Sequence, residues 1–150
     1  MLLGLISDTH NLLRPEAAAA LQGVDQILHA GDVGDKSILE SLNQIAPVTA
    51  IRGNVDKESW SKHLPETDLV EAGGITIYLI HDLSKLDLKP ETAGIAAVIY
   101  GHSHQSKIEE KKGVLYINPG SAGPRRFNLP ITIGKLEITK GTLKAEILNL

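Results

Sequence analysis

Apolar residues fall into short runs along this chain, and their period changes partway. Leu2 to Ile6 is a continuous apolar run and predicts a fully buried strand. Pro15 to Gln22 opens on a proline and stops at Gly23, which predicts a short helix. Asp25 to His29 predicts a second strand. Lys36 to Gln44 then carries Ile38, Leu39 and Leu42 at helical spacing, continued by Ile45, with Asp35 as its cap. Pro47 to Ile51 predicts a third strand. This strand–helix alternation implies parallel strands whose following loops gather at one edge, where open α/β sheets place ligands.

After Lys62 the pattern changes. Asp68 to Glu71, a turn at Ala72-Gly73-Gly74, and Ile75 to Ile80 predict a hairpin. Leu83 to Ala93 reads as a connection with a helical turn after Pro90. Gly94 to Val98 leads into another buried strand. Lys107 to Glu110 and Val114 to Ile117 flank a turn at Lys112-Gly113, and Ile131 to Ile138 and Thr142 to Leu148 flank one at Lys140-Gly141. The first third is therefore βαβαβ and the rest mostly β. The expected product is one domain over residues 1–150, an α/β fold of two packed sheets with helices on the outer faces.

Composition narrows the chemistry. The chain is 42% hydrophobic but only 3% aromatic, so its core must be built from Leu, Ile, Val and Ala. A formal net charge of -3 gives no electrostatic reason for nonspecific nucleic-acid binding, and the few aromatics supply no stacking platform for single strands. No stable nucleic-acid partner is expected. There is no cysteine, which excludes disulfides and thiolate metal sites; any metal must be held by His, Asp, Glu or Asn. No segment reaches transmembrane length and the apolar start lacks a basic leader, so a cytoplasmic protein without membrane contact is expected. A homo-oligomer is compatible with all of this.

Candidate chemistry sits where the apolar runs end. Ile99-Tyr100-Gly101-His102-Ser103-His104 follows a core strand and releases two histidines one residue apart. Alternate residues of an extended segment lie roughly 6.6 Å apart and point to the same side. Two such imidazoles can converge on one metal, or each can take one ion of a pair about 3.5–4 Å apart. Asp8 and His10, Asp32, Asn54, and His81 follow four other apolar runs. Singly, each is a common turn or core residue; together they place four of the six histidines at strand ends that the fold can bring to one edge.

Asp8-x-His10, Gly31-Asp32-x-x-Asp35, Gly53-Asn54-x-Asp56, His81 and Gly101-His102-x-His104 resemble, in this order, the signature of the calcineurin-like metallophosphoesterases. The small size and Asn118-Pro119-Gly120-Ser121 resemble the compact bacterial and archaeal phosphodiesterase branch. The resemblance implies a four-layer α/β/β/α sandwich of two mixed sheets and a site for two divalent ions. By similarity, Asp8, His10, Asp32 and His104 would hold one ion. Asp32, Asn54, His81 and His102 would hold the other, with Asp32 shared and Asn54, His81 and His102 closest to catalysis. Mn2+ is the first expectation for such an imidazole-rich set, with Ni2+, Zn2+, Fe2+ and Mg2+ as the other candidates.

Several neighbours admit two readings. His29 belongs to a buried strand and reads as a core histidine or one that supports a metal ligand. Asp35 and Asp56 either cap the following helices or orient the ligands. Arg125 and Arg126 either reach a substrate phosphate or are solvated. His63 lies outside every motif and reads as a surface residue. Asp82 stands where the family usually has glycine; it would hydrogen-bond His81 or crowd the site. Val55-Asp56 replaces the histidine that larger relatives use as a general acid.

The expected function is metal-dependent hydrolysis of a small phosphate ester, most readily a diester, by a water or hydroxide bridging two ions and attacking phosphorus in line. One rival is a protein-binding scaffold of the same fold with a degraded site, as in the retromer subunit. Another is a metal sensor without turnover. All seven positions from Asp8 to His104 carry competent donors, which separates this chain from the scaffold reading.

Overall fold

A computed structural model describes residues 1–150. Ten strands and two helices follow in the order β1 (Leu2–Ile6), α1 (Pro15–Ala20), β2 (Gln26–His29), α2 (Lys36–Asn43), β3 (Val48–Ala50), β4 (Thr67–Ala72), β5 (Ile75–Ile80), β6 (Ile95–Ile99), β7 (Lys107–Lys111), β8 (Val114–Asn118), β9 (Thr132–Thr139) and β10 (Thr142–Asn149). They form two mixed five-stranded sheets, ordered β10-β9-β1-β2-β3 and β4-β5-β6-β8-β7. Within the first sheet β1, β2 and β3 run parallel; within the second β5, β6 and β8 do. The remaining strands add antiparallel edges through the three expected hairpins.

The layers follow from alternation along the strands. Leu3 and Leu5 of β1, Ile77 and Leu79 of β5, and Ala97 and Ile99 of β6 point inward and pack between the sheets. That central cluster is wholly aliphatic, as the scarcity of aromatics required. The opposite faces carry the other register. Ile6, Ile27 and Ile133 pack under α1 and α2, against Ala17, Leu21, Ile38 and Leu42. All three tyrosines, Tyr78, Tyr100 and Tyr116, lie on the outer face of the second sheet. This outer face is covered by single 3-10 turns at Leu83–Lys85 and Pro90–Thr92 with Leu83, Leu86 and Leu88 packed on it. The fourth layer is therefore thin, because the connection has no run long enough for an α-helix. No helix is long and apolar enough to cross a membrane.

Local signals set the helix limits. Pro15 opens α1, whose cap residue Arg14 makes no side-chain cap bond. Its guanidinium instead donates to the Gly123 carbonyl at 3.1 Å and ties α1 to a distant loop. Asp35 caps α2 by accepting from the Ser37 N–H at 3.0 Å.

His29 closes the seam between β1 and β2. It is fully buried, and its Nδ1 accepts from the Gly31 N–H at 3.1 Å. The proton must then sit on Nε2, which faces the Thr9 hydroxyl at 3.0 Å; that hydroxyl donates on to the Val33 carbonyl at 2.8 Å. This chain of bonds uses the neutral imidazole. Burial pushes the His29 pKa down to about 4. The unfolded chain therefore binds a proton below about pH 6.5 that the folded chain refuses. The stability present above pH 6.5 should fall by about 3 kcal/mol as pH drops to about 4. Urea unfolding across that window checks it: His29→Gln should flatten the slope, and an equally steep slope in that variant would assign the acid loss to other groups.

Candidate metal centre

Each of the six parallel strands ends in a loop that reaches the same edge. β1 delivers Asp8 and His10, β2 delivers Asp32, and the loop after β3 delivers Asn54; β5 delivers His81, β6 delivers His102 and His104, and β8 ends on Asn118. The first sheet thus supplies both carboxylates and the second sheet most of the imidazoles. The two sets meet where the sheets abut.

The donors form two groups, Asp8–His10–His104 and Asp32–His81–His102, and within each group the ligand atoms lie within 4.8 Å of one another. In the first, His104 Nε2 is 3.4 Å from Asp8 Oδ1, His10 Nε2 is 3.7 Å from it, and the two imidazole nitrogens are 3.3 Å apart. In the second, His81 Nε2 lies 3.1 Å from Asp32 Oδ2, and His102 Nδ1 lies 3.2 Å from the Asn54 side-chain oxygen. Asp32 Oδ2 is also 3.6 Å from His10 Nε2 of the first group, so one carboxylate oxygen stands between the two sets. All seven donors expected from the sequence are brought together.

These residues fit a pair of cations. Asp8 Oδ1 and His81 Nε2 are buried and lack hydrogen-bond partners, although each faces the other set of donors. His81 Nε2 is close to Asp32 Oδ2 but makes no hydrogen bond to it. Its Nδ1 donates to the Ala30 carbonyl at 2.7 Å, which leaves the Nε2 lone pair free for a metal. Burial would raise the Asp32 carboxyl, but His81 and the Val55 N–H outweigh it and hold the pKa at about 2. Burial would likewise lower His81, yet Asp32 and Asp8 lift it above its ordinary value. His10 is raised by Asp8, whereas burial lowers His104. Two buried carboxylates thus set up a negative potential with no lysine or arginine paired to them.

The backbone is bent to make this geometry. Asp8, His10, Asp32, His102 and His104 all have positive φ, between 44° and 74°. That region costs energy for residues with a side chain and clusters at functional sites. Close approach adds a second demand. A Cβ on Gly101 would stand 2.1 Å from Ser7 Oγ and 2.6 Å from Asp8 Oδ2, and one on Gly53 would stand 2.1 Å from Asp32 Oδ1. Both glycines let backbone pass directly against a carboxylate.

A ring of supporting bonds holds the donors. Asp8 Oδ2 accepts from the Ser7 hydroxyl at 2.6 Å and the His102 N–H at 3.1 Å, tying β1 to β6. Asn118 is fully buried, and its amide donates to the Gly101 carbonyl and the Ser103 hydroxyl, both at 3.1 Å. Sequence reasoning gave Asn118 no task of its own; the signal was its place in Asn118-Pro119-Gly120-Ser121, the segment that carried part of the resemblance. Asp56 caps no helix. Its oxygens accept from the backbone N–H groups of Val33, Gly34 and Gly53 at 3.0, 3.0 and 2.9 Å, which clamps the Asp32 loop to the Asn54 loop.

Asp82 does not take His81 as its partner and stands beside another donor instead. Its Oδ1 accepts from Ser84 N–H and hydroxyl at 3.0 and 2.7 Å, and it makes no bond to His81. Its Oδ2 faces His102 Nε2 at 3.8 Å. Arg125 and Arg126 are exposed. Arg125 donates to the Leu129 carbonyl at 3.1 Å, while the positive charge of Arg126 reaches His10 and His104. His63 is exposed, as its place outside the motifs implied.

Residues 1–141 match the sequence profile of the calcineurin-like phosphoesterase superfamily domain. A relative described as a probable metallophosphoesterase, from Methanocaldococcus jannaschii, is 39% identical over 163 residues, covering 100% of this chain and 82% of its own. A solved archaeal phosphodiesterase superposes with TM-score 0.82 at 27% identity, over 99% of this chain and 100% of that one. Vps29 from Entamoeba histolytica, solved with zinc, superposes with TM-score 0.77 at 23% identity over 99% of each chain.

The Asp56 clamp generates a prediction. Asp56→Ala leaves three backbone donors without their acceptor and should destabilise the chain by about 3 kcal/mol. Asp56→Asn, which keeps one acceptor oxygen, should lose less. Urea midpoints of the two variants check this; equal losses would mean the oxygens do not act as the clamp.

Proposed function

The chain belongs to the calcineurin-like phosphoesterase superfamily, and on that footing we propose that it is a phosphodiesterase working with two divalent ions, Mn2+ foremost. The observation that carries the reading is the position of Asp32 Oδ2, 3.1 Å from a histidine of one donor set and 3.6 Å from a histidine of the other. A carboxylate placed so can touch two ions at once. Asp8, His10 and His104 complete one set; Asn54, His81 and His102 complete the other.

Bound divalent ions would supply Lewis acidity and a nucleophilic water of lowered pKa. The protein's own groups set what those ions can attract. Asp8 and Asp32 contribute two negative charges, and the remaining donors are neutral, so a doubly loaded centre stays net positive and suits a phosphate. Asn54 offers a neutral oxygen where a carboxylate would cancel more of that charge. Arg126, exposed and near enough for its charge to act on His10 and His104, would donate to a phosphate oxygen. The imidazole-rich donor set favours Mn2+ over Mg2+, which prefers oxygen ligands. The completeness of the donor set supports turnover over a scaffold role; the likeness to Vps29 is one of fold.

The leaving group receives little help from the chain. Asp56, at the place where larger relatives carry an acid, has its oxygens turned to three backbone N–H groups. Proton donation to a departing oxygen is worth roughly 10²–10⁴-fold, and without it the rate should depend steeply on leaving-group acidity, with aryl diesters fast and simple alkyl diesters slow. Hydrolysis rates across a series of diesters of graded leaving-group acidity, at saturating Mn2+, check this. A flat series would reveal an acid donor.

Metal removal gives the broader test. Chelator-treated protein should be inactive, and Mn2+ should restore more activity than Mg2+. Asp32→Asn should bind fewer ions than the parent chain, read by elemental analysis after dialysis. Full activity after stripping, or an unchanged ion count in Asp32→Asn, would contradict the assignment.

A further inference from the structure

Beside the Asn54, His81 and His102 end of the centre opens a cavity of about 760 Å³. A diester held with its phosphorus at the donors has room for one substituent in this space. The lining is polar. Its apolar members, Tyr78 and Ile80, are 8% and 5% exposed, so neither offers a stacking face or a greasy floor. Four of the chain's 15 lysines and arginines line it: Arg52, Lys57, Lys62 and Lys85.

The charges there are not evenly spent. Arg52 is paired with Glu66 at 3.3 Å. Asp56 is satisfied by its three backbone donors, and Asp82 by Ser84. Of the acidic side chains in the lining, Asp87 alone has no partner. On the basic side, Lys57, Lys62 and Lys85 have no carboxylate within 4.0 Å, and Lys85 acts on Asp82 only from farther away. The lining carries as many carboxylates as cations, four of each, so what it offers an anion is three ammonium groups that no carboxylate pairs, not an excess of positive charge. Asp87 and the Thr67 hydroxyl add hydrogen-bonding groups suited to sugar or polyol hydroxyls.

We propose that this cavity holds a second phosphate, carried by the hydroxyl-rich part of the substrate that stays bound while the ester at the metal centre is cleaved. The preferred substrates are then phosphate esters of an already phosphorylated sugar or polyol, rather than lipid esters or esters of flat aromatic groups. This rests on the donor pair being the seat of the scissile phosphate. The three lysines determine specificity, and they act by charge at a distance from the reacting phosphorus.

The test is calorimetric, so that it does not depend on turnover. Fructose 1,6-bisphosphate and fructose 6-phosphate are titrated separately into the Mn-loaded protein. The bisphosphate should bind at least about tenfold more tightly, since charge-assisted contacts to a second phosphate are worth that much. The advantage should shrink as salt rises. In Lys57→Gln/Lys62→Gln/Lys85→Gln the ratio should fall to about one; if that variant does not fold, Lys62→Gln and Lys85→Gln should each lower it. Equal binding of the two sugars by the parent protein, or a ratio undiminished in the variants, would overturn the proposal. Ester hydrolysis with no preference for the bisphosphate overturns the cavity assignment alone. A lysine-dependent preference in a protein that hydrolyses no ester upholds the cavity and overturns the phosphodiesterase reading.

Discussion

Two carboxylates held out of water, Asp8 fully buried and Asp32 3% exposed, govern the architecture around them. No lysine or arginine neutralises either. Burying such charges without a counter-charge is costly, and proteins resolve the cost with a partner or a metal. One oxygen of each carboxylate is hydrogen-bonded, Asp8 by Ser7 and the His102 N–H and Asp32 by the Val55 N–H, while the other faces imidazoles at 3.1 to 3.9 Å, and Asp8 Oδ1 accepts no hydrogen bond at all. A pair of divalent cations would satisfy the same electrostatics, and the left-handed backbone at five of the seven donors shows how much local strain the fold accepts to keep these groups facing each other.

The two-sheet architecture explains why that strain is sustained. Three parallel strands in each sheet end at one edge, and each end is fixed by an aliphatic core that leaves its strand no freedom to slide. Cross-links then tie the edge together: Asp8 to the His102 backbone, Asp56 to the Asp32 and Asn54 loops, and Asn118 to the loop between Gly101 and Ser103. Support comes from backbone N–H groups and amides, so the imidazoles remain free to act as ligands. The open side of the same edge carries the cavity, and its lysines belong to loops rather than strands.

Much of this was legible in the sequence because it rests on local pattern. The apolar runs marked β1, β2, β5 and β6, and the donors stood directly after them. The turns at Lys112-Gly113 and Lys140-Gly141 marked hairpins that the structure contains. What was not legible depends on contacts between distant segments. For Asp56 the sequence left helix cap and ligand support both open, and the choice depends on partners 22 and 23 residues upstream, which with nearby Gly53 make it a support. For Asp82 the sequence left open a bond to His81 or a place crowding the site; it closes on Ser84 and faces His102 at 3.8 Å. The free lysines could not be told from ordinary surface lysines until the carboxylates around them were seen to be engaged elsewhere.

The central claim is that Asp32 joins two donor sets into one centre rather than leaving them as separate cation sites. The most direct measurement is the low-temperature electron paramagnetic resonance spectrum of the protein loaded with Mn2+. Two ions sharing the Asp32 carboxylate should be magnetically coupled, giving a spectrum unlike that of an isolated ion, with coupling that disappears in Asp32→Asn. A spectrum of isolated Mn2+ at full loading of the parent protein would contradict the claim.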